Sequence, residues 1–136
     1  MRLMLESTAA ERACDLRPES ALPKVRKQLE ALQGAADRPK IFMRRNSQFH
    51  ISIYSLADSP LLLEMIERLM ARVGPYVYTY AIAPQNNTRV QGHHDKMYQG
   101  LMERNKKTIT EALREDLEAA ARIIIPALEE EAKKKE

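Results

Sequence analysis

From Arg2 to Glu131 the apolar residues recur at helical spacing, and short Pro- or Gly-containing stretches punctuate the pattern. A chain of this kind must bury one stripe of each helix against the stripes of its neighbours, which restricts it to an all-α packing. The spacing predicts a first helix over residues 2–14, with Arg2, Leu5, Ala9 and Ala13 on one side, broken by the 15–20 stretch that contains Pro18. A second is expected over 21–33, with Pro23 tolerated in its first turn and Gly34 as its stop. Asp37 reads as the cap of a third, with Pro39 near its start and Ile41, Phe42, Phe49, Ile53 and Leu56 on its buried face. Ser59 and Pro60 open a fourth in the same way.

Between Val73 and Ala83, Tyr76, Tyr78 and Tyr80 alternate as they would in a strand. Leu62, Met65, Leu69, Tyr76 and Tyr80 nevertheless keep a helical stripe, which favours one long helix kinked at Pro75. After a polar loop at 84–89, a fifth helix is expected over 90–103 and a sixth over 107–131, bent near Pro126. The expected architecture is an antiparallel bundle of about six helices, a single domain over residues 1–136 with no convincing strand.

Composition narrows the function classes. At 136 residues, with 44% hydrophobic and 30% charged residues and 4 glycines, the chain suits one folded, helix-prone core. No apolar run approaches the roughly 20 residues of a bilayer span. The opening MRLMLESTAAERAC carries charges where a signal peptide needs an unbroken apolar segment, so a cytoplasmic location is expected. Cys14 has no second cysteine to pair with and reads as a small packing residue. The net charge of +3 is modest. Its basic groups, among them Lys24, Arg26, Lys27, Arg44 and Arg45, have no aromatic or Gly-rich companion of the kind a nucleic-acid surface uses.

Several polar residues intrude on the apolar stripes, and these carry the chemistry. Asn46 and His50 stand at i and i+4 in line with Phe42, Phe49 and Ile53. His94 lines up with Met97, Tyr98 and Leu101, and Asp116 with Ile109, Ala112, Leu113, Ala120 and Ile123. Buried without partners, such groups would cost several kcal/mol, so they are expected to converge. Two arrangements satisfy them: hydrogen-bonded core histidines with a salt-bridged aspartate, or a divalent metal such as Zn, Ni or Mn held by His50, His94, Asp116 and the Asn46 carbonyl. Arg2 shares a stripe with Leu5 and Ala9, where it either snorkels to solvent or offers a two-pronged donor to a carboxylate or phosphate. Arg72 and Tyr76 on the fourth helix are further candidates for binding the same ligand.

Over nearly its whole length the pattern resembles the FCD domain, the ligand-sensing half of FadR-type GntR transcriptional regulators. The likeness rests on Arg2, Glu6, Ala9 and Ala10 in the opening, on NSQFH in the third helix, on LADSPLLLEMIERL, and on His94 followed 22 residues later by Asp116. The resemblance implies a helical bundle around a metal held by one Asp and three His, with an organic acid docking on the metal and on the first-helix arginine. Here Asn46 stands in place of the Asp and Asp116 in place of one His, so two imidazoles and a carboxylate remain. The resemblance further implies a homodimer, a small carboxylate effector, and DNA contacted only through a winged-helix module that has no counterpart ahead of Arg2. The same residues also admit a purely structural or dimerising domain with a disused pocket, or a metal-dependent enzyme, although no second general base stands out for catalysis.

Overall fold

The computed structural model describes residues 1–82 and 92–135, and for residues 77–82 the backbone alone. Six α-helices account for nearly all of these residues, and there is no strand among them: α1 (Arg2–Leu16), α2 (Leu22–Gln33), α3 (Pro39–Tyr54), α4 (Pro60–Ile82), α5 (His93–Glu103) and α6 (Lys106–Lys134). Single 3₁₀ turns at Glu19–Ala21 and Ser55–Ala57 join α1 to α2 and α3 to α4. The expected all-α bundle is therefore the observed fold. The loop expected at 84–89 lies outside the described residues.

The first helix holds the bundle together. Ala9, Ala10, Ala13 and Cys14 form a fully buried strip of small side chains, so the other helices can approach its backbone closely. Packed this way, α1 touches α3, α4, α5 and α6. Around it the core is filled by Phe42, Phe49, Ile53 and Tyr54 from α3, Ile66 and Met70 from α4, Met97 and Leu101 from α5, and Ile109 and Leu113 from α6. The α4 stripe differs from expectation. Ile66 and Met70 are its buried positions, whereas Met65 is 44% exposed and Leu62 and Leu69 are only half-buried.

Local chemistry explains the element boundaries. Asp37 is not the cap of α3: that place falls to Arg38, and Pro39, which lacks a donor to satisfy, opens the helix without a side-chain cap. Ser59 does act as expected, its Oγ accepting from the Leu62 amide at 3.3 Å. Helix α4 continues through Pro75, so the tyrosine alternation is not a strand, and α6 likewise runs on through Pro126 to Lys134. The described fifth helix starts at His93, because Gly92 caps it with φ +85°, a left-handed conformation that interrupts a right-handed helix; residues 90 and 91 of the expected span lie outside the described residues. Asn105 caps α6, its side chain accepting from the Thr108 amide at 3.1 Å.

Two arginines, Arg17 buried and Arg104 exposed, lock α1 to α5 end on end. Arg17, just past α1, donates to the Leu101 and Met102 carbonyls at 2.8 and 2.7 Å, satisfying the open end of α5. In return Arg104, just past α5, donates to the Cys14 and Arg17 carbonyls at 2.8 and 2.9 Å at the open end of α1. Nearby, Gly100 lets α5 meet the start of α6, since a Cβ there would lie 2.7 Å from the Ile109 amide nitrogen and 2.8 Å from its Cβ. In an exposed helix Gly→Ala gains up to about 1 kcal/mol. Here the overpacking cost of about 1–3 kcal/mol wins. Gly100→Ala is expected to lower Tm by about 5 °C or more in a thermal melt, and an unchanged or raised Tm would show that the two helices can move apart freely.

Candidate metal centre

Three helices deliver three donors to one point. His50 comes from the C-terminal half of α3, His94 from the first turn of α5 and Asp116 from the middle of α6. All three are buried, and one ligand atom from each lies within 4.8 Å of the others. His50 Nε2 stands 3.3 Å from Asp116 Oδ2, and His94 Nε2 stands 3.4 Å from Asp116 Oδ1. Phe49 presses edge-on against both imidazoles, with ring centroids 5.8 and 5.5 Å away, and limits their rotation. Burial pushes the Asp116 carboxyl up, but attraction to the His94 and His50 rings outweighs it and holds the group well below the ordinary carboxylate range.

Both Nε2 atoms are buried and make no hydrogen bond in this arrangement. Orphaned buried nitrogens aimed at a carboxylate are what a cation would satisfy. With ligand bonds of about 2.0–2.2 Å, neighbouring donors on a tetrahedral ion stand about 3.3–3.6 Å apart. The observed separations of 3.3 and 3.4 Å, each to a different Asp116 oxygen, are of that size, and small side-chain adjustments within the 4.8 Å cluster would bring all three groups onto one ion.

Behind His50 lies a second layer of polar groups. Its Nδ1 is 3.1 Å from the Tyr54 hydroxyl, which donates to Glu6 Oε1 at 2.7 Å. The other Glu6 oxygen accepts from Arg2 Nε at 2.7 Å. Glu6, His50 and Tyr54 are each 1% exposed, and burial together with the Glu6 carboxylate pushes the Tyr54 hydroxyl well above its usual range. Tyr54 therefore stays a neutral donor at any ordinary pH.

The candidates from the sequence fall into different places. His50, His94 and Asp116 come together, and Asn46 sits half-buried one turn before His50. Arg2 is 25% exposed and is committed to Glu6. Arg72 is exposed on α4, lining a surface depression of ≈ 560 Å³ with Met1, Leu5, Met65 and Leu69, and Tyr76 is half-buried one turn further on. A separate pocket of ≈ 220 Å³, lined by Leu32, Phe42, Gly92, His94 and Asp95, shares His94 with the centre. Periodicity alone passed over Glu6 and Tyr54. Their signal was the i, i+4 placement of each behind an inward polar residue, Arg2 and His50.

The sequence profile of the FCD domain matches residues 1–119. The chain belongs to the FCD family. The solved structure of E. coli McbR/YncC, a GntR-family regulator, is similar to it with a TM-score of 0.80 at 25% identity, over 93% of this chain and 62% of that one. This FCD domain thus spans less than two thirds of that regulator's length. A sequence search of characterised proteins found no match.

The depressed Asp116 carboxyl gives the FCD domain a pH signature in the absence of metal. A group whose acidity is strengthened by folding stabilises above its unfolded pKa of about 3.9 and loses that contribution as pH falls through the folded value. In chelator-treated protein, the stability advantage of wild type over Asp116→Asn, measured by urea unfolding, is expected to be larger at pH 6 than at pH 3. An equal difference at both pH values would mean that the imidazoles do not hold the carboxylate.

Proposed function

We propose that this FCD domain is the effector-binding half of a GntR-type transcriptional regulator, sensing a small organic acid at a divalent metal held by His50, His94 and Asp116. The observation that carries the reading is the convergence of those three buried groups with both Nε2 atoms unbonded. Zn, Ni and Mn all accept such a donor set, with Asn46 on the preceding turn as a further oxygen donor. When bound, the ion supplies a positive centre for a carboxylate oxygen. The chain's own residues supply the rest: Phe49 keeps both rings in place, and the pocket lined by Leu32 and Phe42 shelters an apolar effector body beside His94. Because Arg2 is bound to Glu6, the metal is the effector's main anchor, and the first-helix arginine joins only if it exchanges partners.

The family and the McbR/YncC likeness support a regulator rather than an enzyme. DNA would be contacted by a winged-helix module outside this sequence, in a homodimer, and effector binding would act on it by favouring one arrangement of the helices over another. No helix of the described residues is long and apolar enough to cross a membrane, which suits this role.

Elemental analysis and thermal shift test the reading together. Wild-type protein incubated with Zn, Ni or Mn is expected to retain about one equivalent and to melt higher, by roughly 3 kcal/mol of added stability at metal concentrations a hundred times Kd. The His50→Ala, His94→Ala double variant should retain none. Small carboxylates should then raise Tm in the metal-loaded protein alone. Absence of metal uptake by wild type, with no response to carboxylates, would leave a structural or dimerising domain as the better reading.

A further inference from the structure

The polar groups behind His50 form a chain in which every hydrogen bond has a fixed direction. Arg2 can only donate, and its Nε does so to Glu6 Oε2. The Glu6 carboxylate can only accept, so the Tyr54 hydroxyl must give its single hydrogen to Glu6 Oε1. With that hydrogen spent, the Tyr54 oxygen has only lone pairs to offer to His50 Nδ1, 3.1 Å away. The contact is satisfied only if Nδ1 carries a hydrogen. A neutral His50 ring then has its lone pair on Nε2, the buried and unbonded atom that faces Asp116.

We propose that Tyr54 and Glu6 are positioning residues that lock His50 in its Nδ1-protonated form and so hold Nε2 ready as a metal donor. Neutral imidazole in water prefers the opposite form, with the hydrogen on Nε2. In that form His50 would point a hydrogen at the place where a cation has to sit. The bonds from α1 and α3 thus hold the hydrogen at Nδ1 against the Asp116 carboxylate 3.3 Å from Nε2, which draws a hydrogen the other way until a cation stands between them. His94 has no such backing among the hydrogen bonds of the described residues, which makes His50 the pre-set donor of the pair. The consequence for affinity rests on the metal-site reading above, while the tautomer itself does not.

Long-range ¹H–¹⁵N correlation spectra of the metal-free chain, at a pH where the rings are neutral, read the tautomer of each histidine. Zn titration of the same samples reads affinity. In wild type, His50 is expected to be protonated at Nδ1. Tyr54→Phe keeps the ring and removes the acceptor, so His50 should move toward the Nε2-protonated form and Zn affinity should fall about 10–100-fold. Glu6→Gln makes the direction of the Tyr54 hydroxyl optional and should shift both readouts the same way by less. It decides the matter if Tyr54→Phe fails to fold. His93, whose Nδ1 faces Glu115 at 3.3 Å, is the internal reference and should not respond. The proposal is overturned if wild-type His50 is protonated at Nε2, or if folded variants keep the wild-type tautomer and affinity. If wild type shows the expected tautomer and the variants lose it, but no protein takes up Zn, Ni or Mn, the positioning stands and the metal-sensing function falls.

Discussion

A carboxylate placed inside an apolar bundle costs several kcal/mol unless each of its oxygens finds a donor. Glu6 meets that condition, taking Arg2 from its own helix and Tyr54 from α3. From this one buried charge the order spreads outward. Tyr54 orients His50, His50 faces Asp116 on α6, and Asp116 also faces His94 on α5. The strip of small residues on α1 makes it possible, because only a helix lined with Ala9, Ala10, Ala13 and Cys14 brings Glu6 deep enough to reach the aromatic layer of α3. Packing and polar chemistry therefore specify the same arrangement of four helices.

The donors separate into two kinds. His50 is braced from behind by Tyr54, whereas His94 is held mainly by its edge contact with Phe49 and borders the pocket that reaches toward solvent. If the centre binds a metal and an effector as proposed, an inner donor with a fixed ring and an outer donor beside an opening would suit the exchange of a small molecule without loss of shape. The apolar lining from Leu32 and Phe42 and the nearby Asp95 would limit what such a molecule can carry on its far side.

Much of this was legible in the sequence. His50, His94 and Asp116 stood out because each breaks an apolar stripe, and a period of 3.6 residues is a property of the local chain. Helix boundaries were less legible where the backbone decides them. The start of α5 depends on the left-handed turn at Gly92, and that of α3 on Pro39 rather than on the acid before it. The Glu6–Tyr54 bond joins residues 48 apart in sequence, and no periodicity reports a pairing between helices. Arg2 pairs with Glu6, four residues on in the same helix, a partner that stripe periodicity does not single out. On α4 the stripe was read one residue out of phase, which placed Arg72 closer to the interior than its exposed position allows.

The exchanged arginines at the far end of α5 also bear on mechanics. Arg17 and Arg104 fasten the C-terminal turn of that helix to α1, and the Gly100–Ile109 contact wedges the same end against α6. A rod clamped at one end is a cantilever. Its deflection is smallest at the clamp and greatest at the free tip. In α5 the far end is the first turn, about 12 Å from the clamp at 1.5 Å per residue; it carries His94 and is tied only by side chains, Gln33 donating to Asp95 and His93 facing Glu115. A force applied at that imidazole would load those side-chain ties first and the backbone-anchored rear end last, which favours a turn of the helix about its rear over a slide along its axis.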